Sequence, residues 1–522
     1  MKRTLLWMLA LMMGSVCQAE DITIRYNGAT AKVTQQKKDS VDVTVDGAKV
    51  NIVSLSQGHK LTLRLTGKSD DGQLVLKTAG KAKVTLDGLT LTSQEGAPLD
   101  LKNKKKVEIV AAKGTENTLT ITACNDTANH KAATIWAKDK LLLSGNGTLN
   151  IVATGDGCRG IKTKKDITIE DLTLNVTTSG NNLGEKPFGF GDGGFPGGGM
   201  PDFGGGGFPD FGGGMPDFGG GGFPGGGFPG GFPTFGNDST RRGGFLMPDF
   251  GGGGFPGGGF PGFGGMHPEE NDSTDEGGFD GFGGGFGGKH KYVASTKGIA
   301  SKGKITINSG NVTVRTSTPG AEGIEGKGGV VFNGGNIDVM TPDDAINANA
   351  TIEFNGAHVI ARSSTNDAVD SNPKGGFFMP FGGNNNQDTD PAIIIRGGTV
   401  YAWSQVGSPE EGLDCDFAPL VIEGGTIFSV GGGMGEMPSV PSNEDAKQPT
   451  ALLLGLNIVK NEPVYIYDGN GKLIDTVTIP FSLRRSASLV GSPAFKVGNT
   501  YTVKTKGYEK TFTLNEPFMT IR

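Results

Sequence analysis

Histidine and cysteine are scarce in this chain: 522 residues include five histidines and four cysteines. The histidines, His59, His130, His267, His290 and His358, are scattered, and no Cys-x-x-Cys pair occurs. Neither a zinc ribbon nor a thioredoxin-type site is indicated. An excess of basic residues is also missing. Lys and Arg number 48 against 54 Asp and Glu, a net charge of −6, which is not the electrostatic footprint of a nucleic-acid binder. The glycine runs Gly326-Lys327-Gly328-Gly329 and Gly145-Asn146-Gly147 precede no helical pattern, so neither reads as a nucleotide site. The serines and histidines form no nucleophile elbow. Beyond the N-terminus there is no apolar run long enough to be a transmembrane segment, and no long stretch repeats its apolar residues with the helical period of about 3.6.

What is present begins with an export signal. Lys2 and Arg3 form a positive start, Leu5 to Met13 an apolar stretch, and Cys17-Gln18-Ala19 a small-residue cleavage site. Residues 1–19 are therefore expected to be removed, leaving a secreted or cell-surface protein, with the periplasm also open. The rival reading, a lipoprotein acylated on Cys17, fits poorly because Val16 precedes that cysteine. Cys124, Cys158 and Cys415 then remain, an odd number, with Cys124 and Cys158 the candidate pair for a bridge.

The rest reads as strands. Ile22-Thr23-Ile24, Val41 to Val45 and Leu61 to Leu65 alternate apolar and polar residues between glycines. Residues 20–80 are expected to form a small N-terminal β region. A repeat follows: Gly298-Ile299-Ala300 with Ile305-Thr306-Ile307, Gly323-Ile324-Glu325 with Val330-Val331-Phe332, Ala345-Ile346-Asn347 with Ile352-Glu353-Phe354, Ala368-Val369-Asp370 with Ile393-Ile394-Ile395, and Gly412-Leu413-Asp414 with Leu420-Val421-Ile422. Gly160-Ile161-Lys162 opens an earlier copy. The aliphatic anchors recur every 22–25 residues or so, apart from a longer step holding the polar loop 372–390. Strands at that period, without helices, predict an all-β solenoid over residues 81–435: a right-handed parallel β-helix whose inward aliphatics stack coil on coil. Residues 184–290 interrupt it with Phe-Pro-Gly and Pro-Asp-Phe-Gly repeats almost free of aliphatics. That composition predicts a disordered, low-complexity, glycine-rich insertion. From 445 to 522 the pattern changes to hairpins such as Pro463–Tyr467 with Leu473–Val477, a predicted C-terminal β cap.

Acids and amides flank the repeated aliphatics: Glu322 and Glu325, Asp344 and Asn347, Asp367 and Asp370, Glu411 and Asp414, with Asp343 nearby. In a solenoid they stack into two columns on one face, where like charges on neighbouring strands repel. A hard cation offsets that, because Ca2+ takes oxygen ligands at about 2.3–2.6 Å and coils lie about 4.8 Å apart. Asp and Asn also suit left-handed corners, which is the competing explanation.

Several stretches together resemble a bacterial family: Leu86-Asp87-Gly88-Leu89-Thr90-Leu91, Gly114 to Leu119, Leu143-Ser144-Gly145-Asn146-Gly147-Thr148-Leu149, the Gly-Ile-x-x-Lys step at Gly160 and Gly298, and Pro342-Asp343-Asp344-Ala345-Ile346. The family is that of secreted, calcium-binding, carbohydrate-binding β-helix domains with a pectate-lyase-like fold. The resemblance implies a polysaccharide partner, acidic plant-type glycans among them, and calcium held by Asp343, Asp344, Asp367, Asp370, Glu411 and Asp414. Lys297-Gly298-Ile299-Ala300 departs from the family's aspartate-rich step, so the metal is not expected at that coil. Tyr401 and Trp403, two apart on one strand, are the candidate sugar platform. A surface adhesin or structural scaffold is the alternative function. A polysaccharide lyase is a third reading, with Arg315, Lys327 or Arg362 as base, but no motif selects one of them, and the chain is read as a binder rather than an enzyme.

Overall fold

The structure, a computed structural model, describes residues 21–36, 41–58, 60–125, 132–186, 291–372, 390–415, 418–432 and 438–522. The expected signal peptide, most of the 184–290 insertion and most of the 372–390 loop lie outside the described residues.

Every regular element among the described residues is a β-strand. One coil shows how the chain winds. Glu322–Gly326 belongs to an 11-stranded sheet, while Val330–Phe332 and Asn336–Thr341 belong to a 23-stranded sheet. The next coil repeats this with Ile346–Ala348, Ile352–Phe354 and His358–Ser363, each parallel to its predecessor. The repeated aliphatics pair directly: Ile161 with Ile299, then Ile324, Ile346, Val369 and Leu413. All are at most 2% exposed. Burying each such side chain contributes about 1.5–3 kcal/mol, and in-register stacking joins these contributions into one core. Phe332 and Phe354 show the stacking directly, with ring centroids 5.1 Å apart.

Glycine serves two different purposes here. Gly335, which precedes a strand, has φ of 89°, a left-handed conformation that other residues adopt only under strain. Gly298 precedes an inward isoleucine for steric reasons. A Cβ there would lie 2.4 Å from Val314 Cγ1 and 2.7 Å from the carbonyl oxygen of Gly323.

The insertion does not disturb the stacking. Ile167 pairs with Ile305 and Thr173 with Asn311, as if the intervening residues were absent. Leu183–Lys186 and Lys291–Ala294 pair antiparallel, so the chain departs and returns through a two-stranded stem. With its ends held together, a long excursion adds little closure entropy, since that cost grows only logarithmically with length.

The expected boundary near residue 80 is corrected. Val50 pairs parallel with Leu74, which pairs with Leu99, and Ile24 pairs parallel with Leu65. The same sheets therefore run through the described residues between 21 and 80. Only the edge hairpins, Ile22–Asn27 with Thr30–Gln35 and Val41–Asp46 with Lys49–Ser54, are antiparallel. These first coils carry the inward leucines Leu63, Leu65, Leu74 and Leu76, but not the glycine-aliphatic-acid corner by which the later coils are recognised.

At the other end, strand direction reverses. Leu483–Gly491 lies antiparallel on Thr426–Gly431, and Thr450–Ile458 lies antiparallel on Leu483–Gly491. A four-stranded antiparallel sheet follows, in the order Leu473–Thr478, Pro463–Asp468, Thr500–Thr505, Tyr508–Thr513. Its inner residues Val464, Ile466, Tyr501 and Val503 share a core with Trp403, Phe428 and Val430 of the last coils. The open end of the stack is thereby covered.

Candidate functional site

The outer side of the 11-stranded sheet carries two columns of polar residues. The register of one runs Lys162, Ala300, Glu325, Asn347, Asp370, Asp414. The other, three residues earlier in each coil, holds Lys297 beside Glu322 and, just before the strands of the coils that follow, Asp344, Asp367 and Glu411. The face therefore changes sign along the stack, from Arg159 and Lys162 to a series of acids.

Lys297 stands at the change. Its Nζ lies 3.0 Å from both Glu322 carboxylate oxygens and 2.7 Å from Glu325 Oε1. The three side chains are only 11%, 16% and 14% exposed. Burial works against the charge on Lys297, but the two glutamates override it and hold its pKa above the usual lysine value. Burial also raises both glutamates. For Glu325 the lysine's charge and hydrogen bond reverse that, and its pKa falls below the usual carboxylate range. Glu322 stays raised, because Glu325 and Asp343 add to the burial effect.

Beyond this coil the six acids expected as ligands are gathered into hydrogen-bonded sets, Asp343, Asp344 and Asp370 in one and Asp367, Glu411 and Asp414 in another. Asn366 Nδ2 donates to Asp343 Oδ1 and Asp344 Oδ1, both at 2.7 Å. Asn347 Nδ2 donates to Asp344 Oδ2 at 2.8 Å and to Asp370 Oδ2 at 3.3 Å. Asn372 Nδ2 donates to both Asp370 oxygens at 2.9 and 3.0 Å. The Glu411 backbone N–H donates to Asp367 Oδ1. Ser439 closes the set: its N–H donates to Glu411 Oε2 at 2.7 Å and its hydroxyl to Asp414 Oδ1 at 3.4 Å. Asp344, Asp367, Asp370 and Glu411 are each less than 9% exposed. Burial first, then the charges of Asp414 and Asp344, push the pKa of Asp367 well above the usual carboxylate value. The buried Cys415 thiol registers the same field, raised by burial and then by Asp414, Glu411 and Asp370.

Left-handed corner chemistry does not account for these acids. The non-glycine residues with positive φ among those described are Asp171, Asn461 and Arg485, none of them in the columns. Carboxylate and amide oxygens are the donor types a hard cation takes. Among the described residues, however, no three His, Cys, Asp or Glu side chains are arranged to hold a metal ion. Sequence reasoning found the acids but missed Asn366 and Asn372, which stand within the repeat at the positions of Asp343 and Asn349 one coil earlier, and Ser439, which lies beyond the last coil.

The aromatic platform is corrected. Tyr401 and Trp403 do stack, with ring centroids 5.7 Å apart, but Trp403 is 4% exposed and donates from Nε1 to the carbonyl of Phe428 at 3.1 Å. Tyr401 donates to Asp475 of the C-terminal sheet at 3.3 Å. Burial and the Asp475 carboxylate raise its pKa. The pair is packing for the cap, whose strands the local alternation at 400–403 cannot reveal. Of the three candidate bases, Arg315 and Arg362 both hold Asp338, Arg315 Nη2 at 2.6 Å from Oδ2 and Arg362 through Oδ1. Lys327 lies near enough to Glu325 to help lower its pKa. Cys158 and Cys124 pack in one small cluster without a disulfide.

A family model described as "Carbohydrate-binding domain-containing protein" matches residues 46–188 and 264–368. A curated protein of the same description from Acetivibrio thermocellus is 29% identical over 138 residues, which is 25% of this chain and 48% of the relative. The match thus spans about half of that relative's length. A solved structure described as a polysaccharide lyase-like protein from C. thermocellum, in a gadolinium derivative, aligns with a TM-score of 0.37 at 17% identity, over 65% of this chain and 90% of that one. No helix among the described residues is long and apolar enough to cross a membrane.

Proposed function

We propose that this chain is an exported polysaccharide-binding protein, built on a right-handed parallel β-helix, that holds calcium at its acidic corner and binds acidic glycans through it. The observation that carries this reading is the burial of Asp344, Asp367, Asp370 and Glu411 together on one sheet face, where burial first, and then the charges of Asp414 and Asp344, raise the pKa of Asp367. A bound Ca2+ would offset part of that cluster's charge and offer a coordination position to a uronate carboxylate. Asp343, Asp344, Asp367, Asp370, Glu411 and Asp414 are the candidate ligands, all of them oxygen donors. The carbohydrate-binding description shared by the family model and the A. thermocellus relative supports the ligand class.

The reading is of a binder rather than a lyase. Arg315 and Arg362, two of the three candidate bases, are both engaged in ion pairs with Asp338. Isothermal titration of the full chain with polygalacturonate and with a neutral glucan, with and without EDTA, tests the proposal. Calcium-dependent heat with the acidic polymer is expected. Flat traces with folded, calcium-supplied protein would overturn it in favour of an adhesin or scaffold. Ultraviolet absorbance of unsaturated uronate appearing with time would instead establish a lyase.

A further inference from the structure

The four-stranded C-terminal sheet has an outer face that its capping role does not require. On its inner face Val464, Ile466, Val477, Tyr501, Val503 and Phe512 are buried in the core shared with the last coils. Tyr465 and Tyr467, on the central strand Pro463–Asp468, point the other way and are partly exposed. Their rings stack with centroids 6.0 Å apart and planes 30° from parallel, so the strand presents a continuous aromatic surface. Beside it, Tyr467 pairs with Thr502, and Thr502 with Thr511. The hydroxyls of Thr502 and Thr511 meet at 2.9 Å, and those of Thr500 and Thr513 at 2.8 Å. The cross-strand charges nearby cancel, Lys504 Nζ lying 2.9 Å from Glu509 Oε2. On the other flank Tyr465 pairs with Thr476, and Tyr467 with Leu473, which is 48% exposed.

We infer that this face is a second glycan contact, independent of calcium and selective for a neutral polysaccharide. The occupant follows from the chemistry of the face. Two adjacent rings offer apolar surface to the C–H side of a sugar ring. The rows of threonine hydroxyls can donate to or accept from sugar hydroxyls. With its lysine and glutamate already paired, the face has no net charge to attract an acidic polymer or a charged protein. It belongs to residues outside the family match, which ends at residue 368. The inference takes the ligand class from the polysaccharide-binding reading but uses none of the acidic-corner residues, so the two can fail separately.

The test is affinity electrophoresis of the full chain in EDTA through gels containing hydroxyethyl cellulose, xylan or polygalacturonate. Retardation by a neutral polymer is expected for the native protein, with about tenfold weaker binding in the Tyr465→Ala, Tyr467→Ala double variant. The Tyr465→Phe, Tyr467→Phe variant, which keeps both rings, is expected to retain most of the binding. Nitration of Tyr465 and Tyr467 in the native protein, read by peptide mapping, should slow when the neutral polymer is present, and this readout does not depend on a variant folding. No retardation by any neutral polymer, or equal retardation of the alanine variant, would overturn the inference. A native dimer that sedimentation shows dissociating in the alanine variant, with no glycan retardation, would also overturn it and assign the face to a second copy of the chain. Loss of calcium-dependent polygalacturonate binding with neutral binding intact would sink only the acidic-corner reading.

Discussion

The coil at Lys297 and the coils from Asp344 to Asp414 occupy equivalent places on one sheet face, yet they balance charge differently. At the first, a tethered ammonium lies within 3.0 Å of two glutamates on the adjacent coil. At the others, the neutral amides of Asn347 and Asn366 bridge Asp343, Asp344 and Asp370, and a backbone N–H serves Asp367. Such groups supply hydrogen bonds but no charge, so burial and the charges of Asp414 and Asp344 leave Asp367 raised, whereas the ammonium pulls Glu325 below the normal range although Glu322 beside it stays raised. A solenoid can therefore carry a column of acids in two ways: it can build in a cation, or it can leave the demand for one to be met by an ion from solution.

Lys297→Ala should break this contrast most severely. Two buried glutamates would lose their cation, and removing one partner of a buried pair costs about 3–5 kcal/mol. Thermal unfolding in EDTA is expected to show a fall in Tm of several degrees. Added calcium should recover more of it than calcium adds to the native protein, because the vacated position becomes like the coils beyond it. An equal calcium effect in both proteins would mean the two coil types are not equivalent.

Asp367→Asn sharpens the contrast from the other side. The amide oxygen can still accept the Glu411 N–H, while the repelled charge disappears. In EDTA at neutral pH this variant should be more stable than the native protein, and its gain on adding calcium should be smaller than the native protein's. Denaturant unfolding with and without the ion measures both, and a loss of stability in EDTA would contradict the electrostatic account of Asp367.

The pH dependence should follow the same sign. An acid whose folded pKa is raised binds more protons folded than unfolded, so its stabilising contribution is full below about 4, the unfolded Asp value, and is lost as pH rises through the folded pKa. In EDTA, lowering pH from 7 toward 5 is therefore expected to raise Tm in the native protein, less so in Asp367→Asn. Calcium should flatten the slope, and a flat profile in EDTA would argue against a raised Asp367.

The smallest effect is expected at Tyr401. Tyr401→Phe removes the hydrogen bond to Asp475 and should cost about 1 kcal/mol with no change in glycan affinity. A clear loss of affinity on titration would return Tyr401 and Trp403 to the sugar site.

Much of this was legible along the chain because a solenoid writes its register into its period. Ile161, Ile299, Ile324, Ile346, Val369 and Leu413 were recognisable as one column, and the acids beside them as another, since stacked coils put equivalent sequence positions in direct contact. The first coils were harder to see. Leu63, Leu65, Leu74 and Leu76 alternate like any strand, and their corners lack the glycine-aliphatic-acid signature. The donor Ser439 was missed for a related reason, since a residue outside the repeat has no column to reveal it, whereas Asn366 and Asn372 stand within the repeat, where a neutral side chain among acids carries no charge pattern to single it out.

By itself, then, the sequence determined an all-β coil, its core, its interrupted stretch and the alignment of its acids, because all of these depend on local alternation and a short repeat. The tertiary structure alone decided that Trp403 faces a cap instead of a ligand, that Lys297 sits between Glu322 and Glu325, and that Asn347 and Asn366 join Asp343, Asp344 and Asp370. Those outcomes depend on which distant side chains meet across coils and between coil and cap. Such contacts are set by three-dimensional packing, to which no single local pattern corresponds.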